Sequence, residues 1–309
     1  MMEKMLRVFE ISRMTNHNGP GIRTLVHFKG CPLRCQWCST PESQISKMEL
    51  LQKKAKCIGC GACIESCEYH AIIPSDSGIP EIDRRRCREC FRCTENCYAK
   101  SLVKCGWDWD AEELFREIMK DEMFFRMSNG GITFSGGEPL MMVDDEMKRL
   151  YQRISARGIS IGVDTTGYVP WENIEKIFPY VDFFLWDLKI MNAEKHKEYT
   201  GVDNQLILDN LKKVDALAEV YHKDVYIRCV QIPQITDSEQ NLRDTVQFVK
   251  TLKRVKSLDL INYHQYGLKR YQALGREYPL NGAEPLADTV LKGKQRLVRE
   301  NGVPCRILS

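Results

Sequence analysis

The 309-residue chain lacks any strong bias of charge: 45 Lys and Arg against 42 Asp and Glu leave a formal +3, which gives no argument for a nucleic-acid partner. It also lacks an apolar run of membrane length. A span needs about 20 apolar residues, and even Val181–Trp186 is bracketed by Asp182 and Asp187. No signal-peptide pattern opens it, because Glu3, Lys4 and Arg7 interrupt any apolar start. The expectation is a protein with neither nucleic acid nor membrane as partner. Its hydrophobic fraction of 43% is enough for a large core, as one domain or as a domain with an insert.

What the chain does have is cysteine, 14 in all. Disulfide scaffolds are short and secreted, whereas here most cysteines fall into ligand-spaced groups, which points to metal in a reducing compartment. A cytoplasmic and anaerobic setting is expected, since exposed iron–sulfur clusters are oxygen-sensitive. Cys31, Cys35 and Cys38 stand at C-x3-C-x2-C, directly after an apolar run, Ile22 to Phe28, that reads as a strand. Three thiolates can hold three corners of a four-iron cluster and leave one iron free to bind a substrate. The alternative is a structural zinc loop completed by a distant ligand, but zinc sites favour C-x2-C pairs and close all four positions.

This loop, with Trp37 beside its last cysteine, resembles the signature of the radical S-adenosylmethionine (SAM) superfamily. Its flanks, Asn18-Gly19-Pro20-Gly21-Ile22-Arg23-Thr24 and Ser39-Thr40-Pro41-Glu42-Ser43, resemble those of the glycyl-radical-enzyme activating enzymes. The resemblance implies that the open iron holds the amino and carboxylate groups of SAM. One electron then splits a sulfonium C–S bond to give a 5'-deoxyadenosyl radical, which takes a hydrogen atom from a backbone glycine of a partner enzyme.

Between residues 53 and 105 thiols, Gly and charge replace long apolar segments. Cys57, Cys60, Cys63 and Cys67 follow C-x2-C-x2-C-x3-C, and Cys87, Cys90, Cys93 and Cys97 repeat it. The doubled run resembles bacterial two-cluster ferredoxins. That likeness implies that Cys57, Cys60, Cys63 and Cys97 share one [4Fe-4S] cluster and Cys87, Cys90, Cys93 and Cys67 the other. Glu68 and Tyr98 stand where the run usually carries Pro. With the first loop, three [4Fe-4S] clusters are expected, the insert passing electrons from a flavodoxin or ferredoxin-like donor. The basic run Arg84-Arg85-Arg86 is expected to form a solvated face, or else to meet an acidic donor.

After Cys105 strands and helices alternate, which implies parallel pairing with right-handed crossovers. Strands are predicted at Arg23–Phe28, Gly131–Phe134, Ile159–Val163, Val181–Trp186, Val225–Val230 and Leu258–Tyr263. Helices are predicted at 111–123 with Asp110 as N-cap, 143–157, 171–178, 206–219, 239–253 and 287–300. Met5–Ser12 reads as an edge strand and Val303–Leu308 as a short apolar tail. Six such strands suit a partial, open (β/α)6 TIM-like barrel formed by 1–52 and 106–309, with 53–105 as a ferredoxin-like insert. Polar residues gather at the strands' C-terminal ends, where α/β barrels keep their chemistry.

By resemblance, Gly136-Gly137-Glu138 binds the SAM amino group, an ammonium needing an anionic acceptor and close backbone approach. Asp164, Asp187 and Lys189 contact SAM, and the two aspartates, with Thr165 and the backbone of Leu185, hold a monovalent cation (Na+ or K+). Arg228 and His264 line the adenosyl pocket, with Trp37 near the adenine. The other reading of each is structural: a strand-to-helix turn, a salt-bridged rim, a satisfied histidine, an aromatic that excludes water. Cys105, Cys229 and Cys305 have no ligand spacing and read as buried hydrophobes. Met119, Met123, Met127, Met141 and Met142 read as core. A monomer is expected. Two further functions fit parts of the pattern: a radical SAM enzyme acting on a small molecule, and a ferredoxin-type electron carrier.

Overall fold

The computed structural model describes residues 5–141 and 143–308. In chain order the first strands are β1 (Leu6–Thr15), β2 (Arg23–Phe28) and β3 (Glu49–Gln52). The short elements of the cysteine-rich segment follow: helix α1 (Ala62–Glu65), strands β4 (Ile72–Ile73) and β5 (Glu81–Ile82), and helix α2 (Arg92–Glu95). Then come β6 (Leu102–Cys105), β7 (Trp107–Trp109), α3 (Ala111–Met119), α4 (Glu122–Ser128), β8 (Gly131–Gly136), α5 (Asp145–Ala156), β9 (Ser160–Thr165) and α6 (Trp171–Ile177). The chain continues with β10 (Phe183–Asp187), α7 (Ala193–Thr200), α8 (Gln205–Tyr221), β11 (Asp224–Gln231), α9 (Glu239–Val249), β12 (Val255–Asn262), α10 (Tyr266–Leu274), α11 (Asp288–Glu300) and β13 (Cys305–Leu308).

One sheet runs β13-β12-β11-β10-β9-β8-β2-β1-β7. The six predicted strands, β2 and β8 to β12, pair in parallel, and the sheet keeps two edges, so the barrel is open. The predicted tail is a seventh parallel strand, β13, beside β12. At the other edge β1 pairs antiparallel with β2 and with β7. The expected helix 111–123 is two helices broken at Lys120–Asp121. Asp110 caps the first, its side chain accepting from Glu113 N at 2.6 Å.

Strand alternation divides the sheet's faces. Val26, Ile132, Phe134, Val163, Phe184, Trp186 and Ile227 face the helices and form the main core. The parallel registers put Thr133, Ser135, Asp164, Asp187 and Arg228 together on the opposite, inner face. A polar inner face costs stability unless its groups are paired, and its pairing is what builds the site.

Asn18 to Gly21 floors the barrel. The Thr133 hydroxyl donates to Asn18 O at 2.7 Å, and fully buried Arg23 donates to Thr133 Oγ1 at 2.7 Å and to Pro20 O at 3.1 Å. At Gly21 (φ +70°) a Cβ would lie 2.5 Å from Gly130 backbone, so the turn requires glycine.

The cysteine-rich segment has its own small core of Leu50, Ile72, Cys93 and Leu102, with seven further residues against it, four of them cysteines. The repeat seen in the cysteines extends to the backbone. Each short helix follows a left-handed residue, Gly61 (φ +77°) before α1 and Phe91 (φ +65°) before α2. β3 and β6 pair antiparallel and tie the segment to the barrel.

Cys105, Cys229 and Cys305 are buried, as expected. Met119 packs partly against the core and Met141 is half-buried, but Met123 and Met127 are 65% and 79% exposed. Those two lie on the outer face of α4, whose buried side is Phe125, so helical spacing alone misassigned them. Met142 lies outside the described residues. No helix among the described residues is long and apolar enough to cross a membrane.

Candidate active site

The polar turns converge at the C-terminal ends of the strands. The cysteine loop follows β2 and is stitched on three sides. Gly30 N donates to Ser43 O at 2.6 Å, Arg34 N to Thr200 O at 2.6 Å and Gln36 N to Tyr199 O at 3.1 Å. Glu138 N donates to Gly30 O at 2.8 Å, which fastens the loop to the turn after β8. α7, the helix that supplies Tyr199 and Thr200, is AEKHKEYT, too polar to show a period in the sequence; Asn192 caps it by accepting from Lys195 N at 2.9 Å.

Burial pushes the Cys35 thiol up to about 12, against the pull of Lys189, with Cys38 and Asp187 adding to the rise. Cys31 and Cys38 are shifted the same way by burial. Three thiols held in a dry place beside a lysine are poised for a cation that converts them to thiolates. No three ligating side chains among the described residues converge tightly enough for one metal ion, whose Zn–S bonds would be about 2.3 Å. The donor set fits a cluster, which spaces its thiolates more widely.

The Gly136-Gly137 turn lies against the loop. Gly136 has φ +103°, and a Cβ on Gly137 would fall 2.1 Å from Gly30 O. The carboxylate of Glu138 is buried and saturated. Oε1 accepts from Thr165 Oγ1 (2.6 Å) and Leu140 N (3.2 Å), and Oε2 from Thr166 N (2.9 Å) and Thr166 Oγ1 (2.7 Å). Its four acceptor positions are filled, so an ammonium could pair with it directly only by displacing one of these donors. Burial raises its pKa even so, against the hydrogen bonds of Thr165 and Thr166. Glu138 thus joins the ends of β8 and β9, and Thr166 is a member that the sequence reading missed; the D-T-T-G run was its only signal.

Asp164 accepts from Ser135 Oγ at 2.9 Å and pairs with Arg228 at 3.2 Å. Burial raises its pKa against the opposing Arg228 charge. Lys189 pairs with Asp187 at 2.8 Å. Burial alone would lower the lysine's pKa, but Asp187 and Cys35 outweigh it and the ammonium is held charged. Each aspartate proposed for a cation therefore has a side-chain cation already, and Thr165 is turned to Glu138. Arg228 also donates to His17 O (2.8 Å) and Asn18 Oδ1 (3.2 Å), so it hangs from the barrel floor.

Trp37 is buried with Ile190, Ile232, Tyr263, Tyr271 and Tyr278, where its indole packs the loop against α10. His264 stacks on Tyr266 at 4.0 Å between ring centroids, and burial lowers its pKa. α10, also missed, leans on the loop so closely that a Cβ on Gly267 would sit 2.6 Å from Cys38 O. An ion network joins it to the loop's flank and to β3. Arg270 pairs with Glu42 and Glu10, Arg276 with Glu49, and Lys29 with Glu49 at 3.1 Å. Arg84 leaves the solvated face expected of its run, donating to Leu50 O (2.6 Å) and Ala273 O (3.1 Å); Arg85 and Arg86 stay in solvent beside Asp83.

In the cysteine-rich segment one cavity is lined by Cys57, Cys60, Cys63 and Cys97, and another by Cys67, Cys87, Cys90 and Cys93. Backbone N–H groups of Gly59, Ala71 and Leu102 point at the sulfurs of Cys57, Cys67 and Cys97 at 3.3–3.5 Å. Such donors favour thiolates and tune cluster potential.

Comparison with known proteins decides the family. The radical SAM superfamily pattern matches residues 84–249 and a 4Fe-4S dicluster pattern matches residues 56–101. The choline trimethylamine-lyase activating enzyme of Oleidesulfovibrio alaskensis is 36% identical over 100% of this chain and 99% of its own. This chain belongs to the radical SAM activating enzymes of glycyl radical enzymes. The isethionate sulfite-lyase activating enzyme of Desulfovibrio desulfuricans is 37% identical over 94% of this chain and 92% of its own. A radical SAM methyltransferase from Sphaerobacter thermophilus shares the fold at TM-score 0.55 and 13% identity, over 93% of this chain and 66% of that one. The activating enzyme thus carries iron–sulfur clusters and uses SAM, and its protein substrate is a glycyl radical enzyme. The family membership sets aside the electron-carrier function.

Proposed function

We propose that Cys31, Cys35 and Cys38 hold a [4Fe-4S] cluster whose fourth iron is left for SAM, and that the turns around it bind the cofactor. The observation that carries this is the stitching of the cysteine loop to Gly136-Gly137-Glu138 through Gly30 O, with Lys189 in electrostatic reach of Cys35. With that cluster bound, one electron splits SAM into methionine and a 5'-deoxyadenosyl radical, which takes a hydrogen atom from a backbone glycine of the partner and becomes 5'-deoxyadenosine.

Around that chemistry this chain's residues bind and orient. Glu138, saturated by Leu140, Thr165 and Thr166, holds the glycine turn so that its backbone meets the SAM ammonium. Lys189 and Arg228 supply positive charge toward the SAM carboxylate and the adenosyl side, with Asp164 and Asp187 setting their positions. His264 stands at the adenosyl end, and Trp37 contributes by fixing the loop. A Na+ or K+ beside the SAM carboxylate would sit where Arg228 and Lys189 already balance the aspartates, so its binding should require their movement.

Residues 53–105 form the insert, with clusters on Cys57, Cys60, Cys63, Cys97 and on Cys67, Cys87, Cys90, Cys93; the two cysteine-lined cavities support that sharing. A flavodoxin or ferredoxin-like donor and an anaerobic cytoplasm complete the reading, with the activase acting as a monomer on its partner. The relatives act for a choline lyase, an isethionate lyase, a sulfopropanediol dehydratase and aryl-acetate decarboxylases at similar identity, so the partner class is left at a glycyl radical enzyme.

The test is electron–nuclear spectroscopy of the reduced protein with SAM labelled at its methionine end, followed by incubation with a glycyl radical enzyme encoded beside it. Coupling of the label to the cluster and a glycine doublet in the paramagnetic resonance spectrum are expected. Absence of that coupling would sink the site, and coupling with no doublet would mean that the enzyme tested is not the partner.

A further inference from the structure

The two cysteine-lined cavities of the insert are not equivalent, because β3 sets them at different depths. The cavity of Cys67, Cys87, Cys90 and Cys93 includes Leu50, next to Glu49, which is paired with Arg276 and Lys29 of the barrel. The cavity of Cys57, Cys60, Cys63 and Cys97 includes Gln52 and Leu102, the opposite end of the β3–β6 ladder. The first set is the inner one.

It also has a connection to the catalytic loop. Tyr271 of α10 packs in the cluster that holds Trp37 and Cys35, and two residues on, the Ala273 carbonyl accepts from Arg84, which also donates to the carbonyl of Leu50 beside the inner cavity. Beside the outer set, exposed side chains stand next to the cysteines. Ile58 and Tyr98, each directly following a cysteine of that set, are 72% and 87% exposed. Lys53, Lys54, Lys56 and Lys100 lie exposed within a few residues of those cysteines. Of these four lysines only Lys54 has an acidic partner among the described residues, Glu81 at 4.0 Å. Exposed apolar side chains beside these cysteines, with exposed lysines of which three have no acidic partner among the described residues, suit a transient acidic partner.

We propose that this outer face, centred on Ile58 and Tyr98 and rimmed by Lys53, Lys54, Lys56 and Lys100, is where an acidic one-electron carrier protein docks. Electrons enter at the Cys57/Cys60/Cys63/Cys97 site and pass through the inner site toward Cys31, Cys35 and Cys38. The step is a simple transfer: the carrier is oxidised by one electron, the outer iron–sulfur group is reduced by one, and no bond breaks. The proposal rests on the reading of the insert as a two-cluster module.

The experiment is anaerobic stopped-flow reduction of the iron-loaded full chain by photoreduced flavodoxin, followed by bleaching of the iron–sulfur absorbance. A variant carrying Lys54→Glu, Lys56→Glu and Lys100→Glu should react at least about tenfold more slowly at low ionic strength, in the range of electrostatic steering. The difference should shrink as salt is added, while reduction by dithionite and iron content stay unchanged. Ile58→Ser with Tyr98→Ser, which removes the centre but no charge, should slow the same reaction at every salt concentration. Unchanged flavodoxin rates in both variants overturn the proposal. So does slowing confined to Arg85→Glu with Arg86→Glu, which would put docking beside the inner site. An unmutated protein with no iron in residues 53–105 would instead remove the reading of the insert, and the dithionite and iron measurements separate that result from a failed docking site.

Discussion

At the scale of single residues, the decisive feature is how the chain's own donors and charges hold Glu138, Asp164 and Asp187 around the cysteine loop. Glu138 has no free acceptor. Replacing it by Gln would set an amide N–H against one pair of those donors, a buried mismatch worth about 1–3 kcal/mol. Glu138→Gln should therefore lower the thermal midpoint and weaken SAM binding together, measured by calorimetry on the iron-loaded protein. Unchanged stability would show that the carboxylate is free after all. Cys35→Ala tests the loop itself. The intact protein should hold about 12 iron atoms in three four-iron clusters. The variant should retain about 8 and lose SAM cleavage, by iron assay and product chromatography.

At the scale of elements, α10 is the part that links loop, barrel and insert. Its Arg270 reaches Glu10 on β1 and Glu42 beside the loop. Burial by itself would raise the Glu10 pKa, but the Arg270 charge and hydrogen bond outweigh it, and the net shift is downward from 4.5. A carboxylate with a lowered folded pKa contributes stability above its unfolded value that is lost as pH falls through the folded one. Glu10→Gln should consequently melt below the parent at pH 7, with the gap closing at pH values under about 4.5; a gap independent of pH would rule out this ion pair as its source.

At the scale of the whole molecule, the barrel and the insert rest on different sources of stability. The barrel buries a continuous apolar core between its sheet and helices. Among the described residues the cluster in the cysteine-rich segment has four buried members, Leu50 of β3 and Cys93 among them, with cysteines making up much of the remainder, too little for a unit of its size without metal. Anaerobic chelation should then raise amide hydrogen exchange across residues 57–101 toward unfolded rates while β8 to β12 keep their protection. Equal loss in both would mean that the folds are interdependent.

Much of this was legible in the chain. Cysteine spacing is a local ligand code, and a period of two in strands against 3.6 in helices follows from backbone geometry, so the loop, the doubled run and the six parallel strands could be read directly. Polar α7 and short α10 could not, since tertiary contact rather than amphipathic periodicity holds them. β13 was read as a tail because four residues carry too little pattern; only the open edge of β12 makes them a strand.

The sequence by itself determined which ligands exist and in what order they arrive, because those are properties of spacing. Only the tertiary structure decided which groups meet: that Glu138 is spent on Thr165 and Thr166, that Arg84 turns inward while Arg85 and Arg86 do not, and that the eight cysteines of the doubled run line two separate cavities. Those outcomes depend on which distant groups come together, in a buried volume where an unpaired charge is costly or at the surface, and chain order does not encode that meeting.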